Sequence, residues 1–231
     1  MGPTRDGNVQ QLALFRRGGT RTGAGRKPAG EHALVAHASR ARVTRHTPVF
    51  VTTKLVDGLP NLRRESTLAL LRDTLAAGAD RFGFRLVEYS IQSTHLHLVV
   101  EAEDERSLGR GMKGLLVRLA KALNRAWKRR GRVIRDRYHA RVLKTPREVR
   151  QVLVYALHNA RKHGARILGI DAFSSGPWFG GWADRSPRAG RPLPRASSWL
   201  LSFGWTKGGL ISTREAPRGG PAWNPAWPEP S

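Results

Sequence analysis

The order of apolar patterns along this 231-residue chain predicts an α+β fold. The expected architecture is a ferredoxin-like antiparallel sheet with helices on one face, plus a further C-terminal helix beyond it. Two observations carry that prediction. Strand-like alternation and helical periodicity follow one another in the order β-α-β-β-α-β-α. Two of the strand-like runs are joined by Ser93 and Thr94 alone, a link short enough to require an antiparallel hairpin. No internal repeat is present.

Each element has its own signal. The run TPVFVTTKL, residues 47–55, is rich in β-branched side chains and is stopped by DGLPN. In RESTLALLRDTLAAGADRFG, Leu68, Leu71, Leu75 and Ala79 recur at helical spacing, and the helix is expected to end near Gly83. FRLVEYSIQ, residues 84–92, and HLHLVVEA, residues 95–102, alternate as strands. From residue 104 to 130 a long helix presents Leu108, Met112, Leu115, Leu119 and Leu123 as one apolar stripe. VIRDRYHARVLK, residues 133–144, reads as the next strand. Pro146 suits the first turn of a last helix, which Gly164 stops.

Three regions follow from this reading. Residues 1–46, with RTGAGRKPAG at their centre, read as a basic flexible arm. Residues 47–168 form the folded domain, and residues 169–231 read as a Gly/Pro/Trp-rich tail. Within that tail, ASSWLLSFGWTKGGLI suits a short helix or turn.

Composition narrows the partners. Against 17 acidic residues stand 41 lysines and arginines, a formal charge of +24 that favours a polyanion, nucleic acid first. There is no cysteine, so disulfides, thiolate metal sites and cysteine nucleophiles are excluded. No apolar run approaches the roughly 20 residues that span a bilayer. A cytoplasmic, nucleic-acid-facing protein with no membrane partner is the expectation.

Residues i and i+2 of a strand project to the same side, so His95 and His97 point one way. Such a pair is either an accident of packing or the start of a metal site. Leu96, Leu98 and Val100 would face the helices, while His95, His97, Val99 and Glu101 would look out from an open face. On the last helix, Tyr155 and Asn159 lie one turn apart along one border of its apolar stripe. A tyrosine there can lower its ring onto the sheet while its hydroxyl stays wet.

His-hydrophobic-His on a strand, with a single tyrosine on a later helix, resembles the HUH single-strand endonucleases. The wider pattern of TPVFVTTKL, STHLHLVVEA, a long basic helix, RDRYHARVLK and YALHNARKHG is similar to the REP-associated tyrosine transposases, over about residues 43–168. The family often carries Asn-Pro where this chain has Asn159-Ala160. By this resemblance His95, His97 and Asn159 would hold a divalent ion, Mg²⁺ or Mn²⁺, and Tyr155 would attack a phosphodiester. The product would be a 5′-phosphotyrosine link and a free 3′-hydroxyl. A free phenol titrates near pH 10, so the ion or a cation such as Lys162 is expected to help remove its proton.

The substrate implied is single-stranded or hairpin DNA laid across the open sheet, its bases stacking. Arg26 and Lys27 of the arm, Arg118, Lys121, Arg125 and Lys128 of the long helix, and Arg135, Arg137 and Lys162 are the expected DNA contacts. A homodimer is compatible with the resemblance, Tyr155 serving its own subunit or its neighbour's. Three rival readings stand beside this one, the first an inactivated relative of such a transposase that binds DNA but no longer cuts. A non-catalytic nucleic-acid-binding module would stack bases on sheet aromatics, of which Phe50 is a candidate. A metal-dependent hydrolase using water would need Glu88 or Glu101 as its base.

Overall fold

The computed structural model describes residues 42–162 and 169–217, and all of them belong to one compact unit. For residues 160–162 only the helical backbone is described. Most of the arm, Arg26 and Lys27 included, lies outside the described residues. Its last part is not loose: Val43 is buried in the core, its N–H donating to the Glu105 carboxylate at 2.9 Å.

Five antiparallel strands form one sheet in the order β2-β3-β4-β1-β5: β1 (Val49–Lys54), β2 (Asp80–Arg81), β3 (Phe84–Ile91), β4 (His95–Ala102) and β5 (His139–Val142). Helices α1 (Glu65–Ala77), α2 (Glu105–Ala126) and α3 (Pro146–Lys162) intervene in the expected order. Leaving out the short β2, the α+β ferredoxin-like arrangement is the one the sequence predicts. The small β2 was not anticipated. It pairs with β3 through a tight turn at Phe82 and Gly83, both with positive φ, which matches the twist of a two-residue hairpin.

Three element boundaries are corrected. The first helix ends at Ala77 and not near Gly83, with Gly78 as its C-cap, which leaves residues 80–81 for β2. The long helix ends at Ala126 and not at residue 130, because Lys128 adopts the left-handed conformation (φ 50°) that closes a helix without a glycine. The strand expected over 133–144 shrinks to His139–Val142. Before it, the Asp136 carboxylate accepts from the N–H of Arg137 at 2.7 Å, a local bond that competes with the ladder. Only an isolated Leu55–Ile134 bridge continues the pairing.

One face of the sheet, with Val49, Val51, Leu96, Leu98 and Val100, packs under α1 and α2, whose buried leucines are those of the predicted stripes. The other face was expected to be open, and it is not. Phe50, Val87 and Val99 on that face are covered by α3 together with residues from 170 onward, among them Phe179, Trp182, Leu201, Trp205 and Ile211. Exposing those apolar side chains would be unfavourable, so a second layer covers them. Residues 169–217 thus pack as part of the domain and not as an appendage.

Polar ties fix that layer. Arg63 donates two bonds of 2.8 Å to Asp171. Glu101 at the end of β4 accepts from the N–H and hydroxyl of Ser197 and the N–H of Ser198, each at 2.8 Å. Ser198 in turn caps the short helix α4 (Trp199–Ser202). Among the described residues, no helix is long and apolar enough to cross a membrane.

Candidate active site

The antiparallel register aligns Ser90 of β3, His97 of β4, Thr52 of β1 and His139 of β5 in one row across the sheet. Paired residues share a face, so this row looks toward α3. His95 lies in the next row beside Lys54. The Nε2 atoms of His95 and His97 are 3.1 Å apart, with ring centroids at 4.7 Å and planes at 80°. The Nε2 edges of the two rings therefore meet at one point.

His97 is held from three sides. Its Nδ1 is hydrogen-bonded to the Thr52 hydroxyl at 3.1 Å, and Phe50 stacks on its ring at 5.4 Å and 18°. The Thr52 bond fixes the orientation of the ring and turns its Nε2 toward that of His95. Tyr155 completes the enclosure, its ring 5.2 Å from that of His97 at 70° and 5.9 Å from Phe50 at 87°. Edge-to-face contacts of this kind fix the phenol's position on the sheet. His97 is 1% exposed and Tyr155 7%, while His95 is only partly buried and marks the way in. One turn after Tyr155, Asn159 is 0% exposed, and neither atom of its carboxamide has a hydrogen-bond partner among the described residues.

A buried amide without a partner is costly and calls for one. Among the described residues no three His, Cys, Asp or Glu side chains converge, so an ion here would need donors besides the two imidazoles, and a carboxamide such as that of Asn159 is of the right chemical type. The separation of the two Nε2 atoms fits such a role. Adjacent ligands of an octahedral ion at 2.0–2.1 Å stand about 3 Å apart. The donor set suits a divalent ion.

The two carboxylates that a water-activating enzyme would need are occupied elsewhere. Glu88 pairs with Arg191 at 2.8 Å, and Arg191 also donates to the carbonyl of Val87. Burial pushes the Glu88 carboxyl up against the pull of that guanidinium. Glu101 is committed to Ser197 and Ser198. Phe50, the sheet aromatic that a base-stacking module would use, is buried between His97 and Tyr155.

The expected DNA contacts divide into groups. Arg118, Lys121, Arg125 and Lys128 belong to the α2 region, in the layer on the opposite side of the sheet from His97 and Tyr155. Their helix packs by its leucine stripe, which turns these cations outward and away from the histidines. Arg135 is nearer: its N–H donates to the carbonyl of Lys54, the residue paired with His95, and its guanidinium meets Asp57 at 3.3 Å. Arg137 is exposed on the approach to β5. Lys162 closes α3, with its side chain outside the described set.

Thr52 was missed by the sequence reading. The alternation of VFVTTK puts it on the same face as Phe50, but its partnership with His97 depends on the β1–β4 register. The covered face also corrects the path of a bound strand. The middle of this face is covered, and of the two histidines only His95, at the start of β4, is partly exposed.

No family model matches the chain, and no curated protein matches it. Among solved structures, one described as a REP-associated tyrosine transposase bound to a REP hairpin aligns at 14% identity and a TM-score of 0.46. The alignment covers 56% of this chain and 75% of that one. It is a distant likeness of fold.

Proposed function

We propose that the protein is a single-strand DNA nicking and joining enzyme of transposase type, with Tyr155 as its nucleophile. The observation that carries this reading is the meeting of the Tyr155 ring with His97, whose Nε2 lies 3.1 Å from that of His95. The motif resemblance in the sequence and the orphaned carboxamide of Asn159 support it.

A divalent ion, Mg²⁺ or Mn²⁺, on His95, His97 and Asn159 would neutralise charge on the oxygens of a scissile phosphate. The chain's own residues do the rest. Thr52 orients the His97 ring, and Phe50 and His97 hold the phenol at the phosphate. The Tyr155 oxygen forms a bond to phosphorus as the bond to the 3′ oxygen breaks, and the phenolic proton ends on the 3′-hydroxyl. Attack by a 3′-hydroxyl on the phosphotyrosine reverses the step without ATP. Strand entry at the His95 edge favours a single strand over a duplex.

The test is incubation with labelled single-stranded hairpin DNA and Mn²⁺, followed by a denaturing gel. Wild type gives a covalent adduct, and Tyr155→Phe gives none while still binding the DNA. Cleavage that survives Tyr155→Phe would move the nucleophile to Tyr138 or to water and sink the proposal. As a second arm, Thr52→Val lowers Mn²⁺ affinity about 10–100-fold in a direct titration, whereas Thr52→Ser keeps it.

A further inference from the structure

A strand that enters at His95 has no sheet surface on which to rest its bases, yet the molecule displays aromatic surface elsewhere. Trp199 is 50% exposed and Phe203 58%, one helical turn apart on α4 and its C-terminal cap. The Trp199 ring is held in place and not left to swing. Its benzo edge lies so close to Gly204 that a Cβ there would come within 2.7 Å of it. The Lys207 ammonium sits 5.1 Å from its ring centroid. Arg195 and Arg214 flank the element in sequence, both exposed, and neither they nor Lys207 has an acidic partner among the described residues.

We infer that Trp199 and Phe203, with Lys207, form a stacking site for the unpaired bases of a single nucleic-acid strand. A half-exposed indole that carries a cation over its ring, with Phe203 exposed one turn away, offers the rest of its aromatic surface to a base and a charge to its phosphate. An apolar protein partner would leave Lys207 without a counter-charge, and a chain of +24 favours a polyanion. The position suits a strand held at the histidines. α4 is tied through Ser198 to Glu101, which lies four residues beyond His97, about 13 Å along β4. The placement relative to the histidines rests on the function proposed above, whereas the stacking itself does not.

The experiment measures binding of oligo(dT) to the full chain without divalent ions, so that no chemistry is read. Trp199→Ala is expected to weaken oligo(dT) binding about 10–100-fold, as loss of a stacked base does. Affinity for a blunt duplex and the salt slope for oligo(dT) stay as in wild type, and Trp199→Phe keeps most of the binding. Lys207→Gln lowers the steepness of the salt dependence by about 0.7, one phosphate contact. Equal loss for single strand and duplex, or no loss for either, overturns the inference. So does an abasic strand that binds as well as oligo(dT). If Trp199→Ala instead changes the mass of the free protein in solution, the patch joins two copies and the inference also fails. A missing Tyr155 adduct would leave these results untouched, and a failed stacking site would leave adduct formation on saturating DNA intact.

Discussion

The two layers that enclose the sheet are built from different materials. Beneath α1 and α2 the filling is mainly aliphatic, Leu68, Leu71 and Leu75 with Leu108, Met112, Leu115 and Leu119, and Phe84, Tyr89 and Phe173 are its rings. Against α3 the share of rings is larger, Phe50, Tyr155, Phe179, Trp182 and Trp205 standing among valines and leucines. That second layer also carries directional bonds, Glu101 to the serines, Glu88 to Arg191, and Arg150 to Glu215 at 2.8 and 2.9 Å. Aliphatic packing is non-directional and tolerates small shifts, whereas stacked rings and charged hydrogen bonds hold atoms to a defined place. The histidines and Tyr155 sit in the layer that fixes positions. The other layer supplies stability.

The comparison is broken or sharpened by three experiments. The largest effect belongs to Leu71→Ala, which removes a fully buried side chain from the aliphatic layer and costs about 2–5 kcal/mol. Its urea transition moves as a whole, by circular dichroism and by tryptophan fluorescence alike. Next comes Glu101→Ala, which leaves the buried N–H of Ser198 and its neighbour without their acceptor, at about 1–3 kcal/mol. Trp178, Trp182, Trp199 and Trp205 all lie in the covering segment, so fluorescence should fall at lower urea than circular dichroism does. Coincident transitions in that variant would show one cooperative unit and erase the distinction.

The smallest effect is that of acid. The hydrogen bond from Arg150 holds the Glu215 carboxyl below its usual value, and the Thr213 N–H with the Ser212 hydroxyl does the same for Asp184. Each depressed group adds stability that is complete above the unfolded value near 4 and is lost as pH falls through the folded one. The aliphatic layer has only the ties of Asp104 and Glu105 at the start of α2 to lose in that window. Both sets of ties are lost over the same acid range, so tryptophan fluorescence and the helical signal should change together as pH falls below about 4. Separate transitions would mean that one set of ties fails before the other.

Much of this arrangement is legible in the chain, and the boundary of what is legible is physical. Leucine spacing marks both outer helices because amphipathic periodicity depends on neighbours within a few turns. The same local geometry puts His95 beside His97 and Tyr155 a turn before Asn159. Tail residues such as Trp182 and Trp205 carried no such pattern, since short 3₁₀ turns and extended pieces have no period to read. The contacts of Trp205 with Phe179 and of both indoles with the α3 layer are met only in three dimensions.

By itself, then, the sequence determined the order of strands and helices, the shared face of the two imidazoles, and the cationic character of the surface. Tertiary structure decided which face of the sheet is closed, that Thr52 orients His97, that Tyr155 rests on that ring, and that the α2 cations lie on the far side. The division has one cause. Side-chain periodicity is set by bonds a few residues apart, whereas cross-strand register and layer order are set by contacts between segments the chain separates by tens of residues.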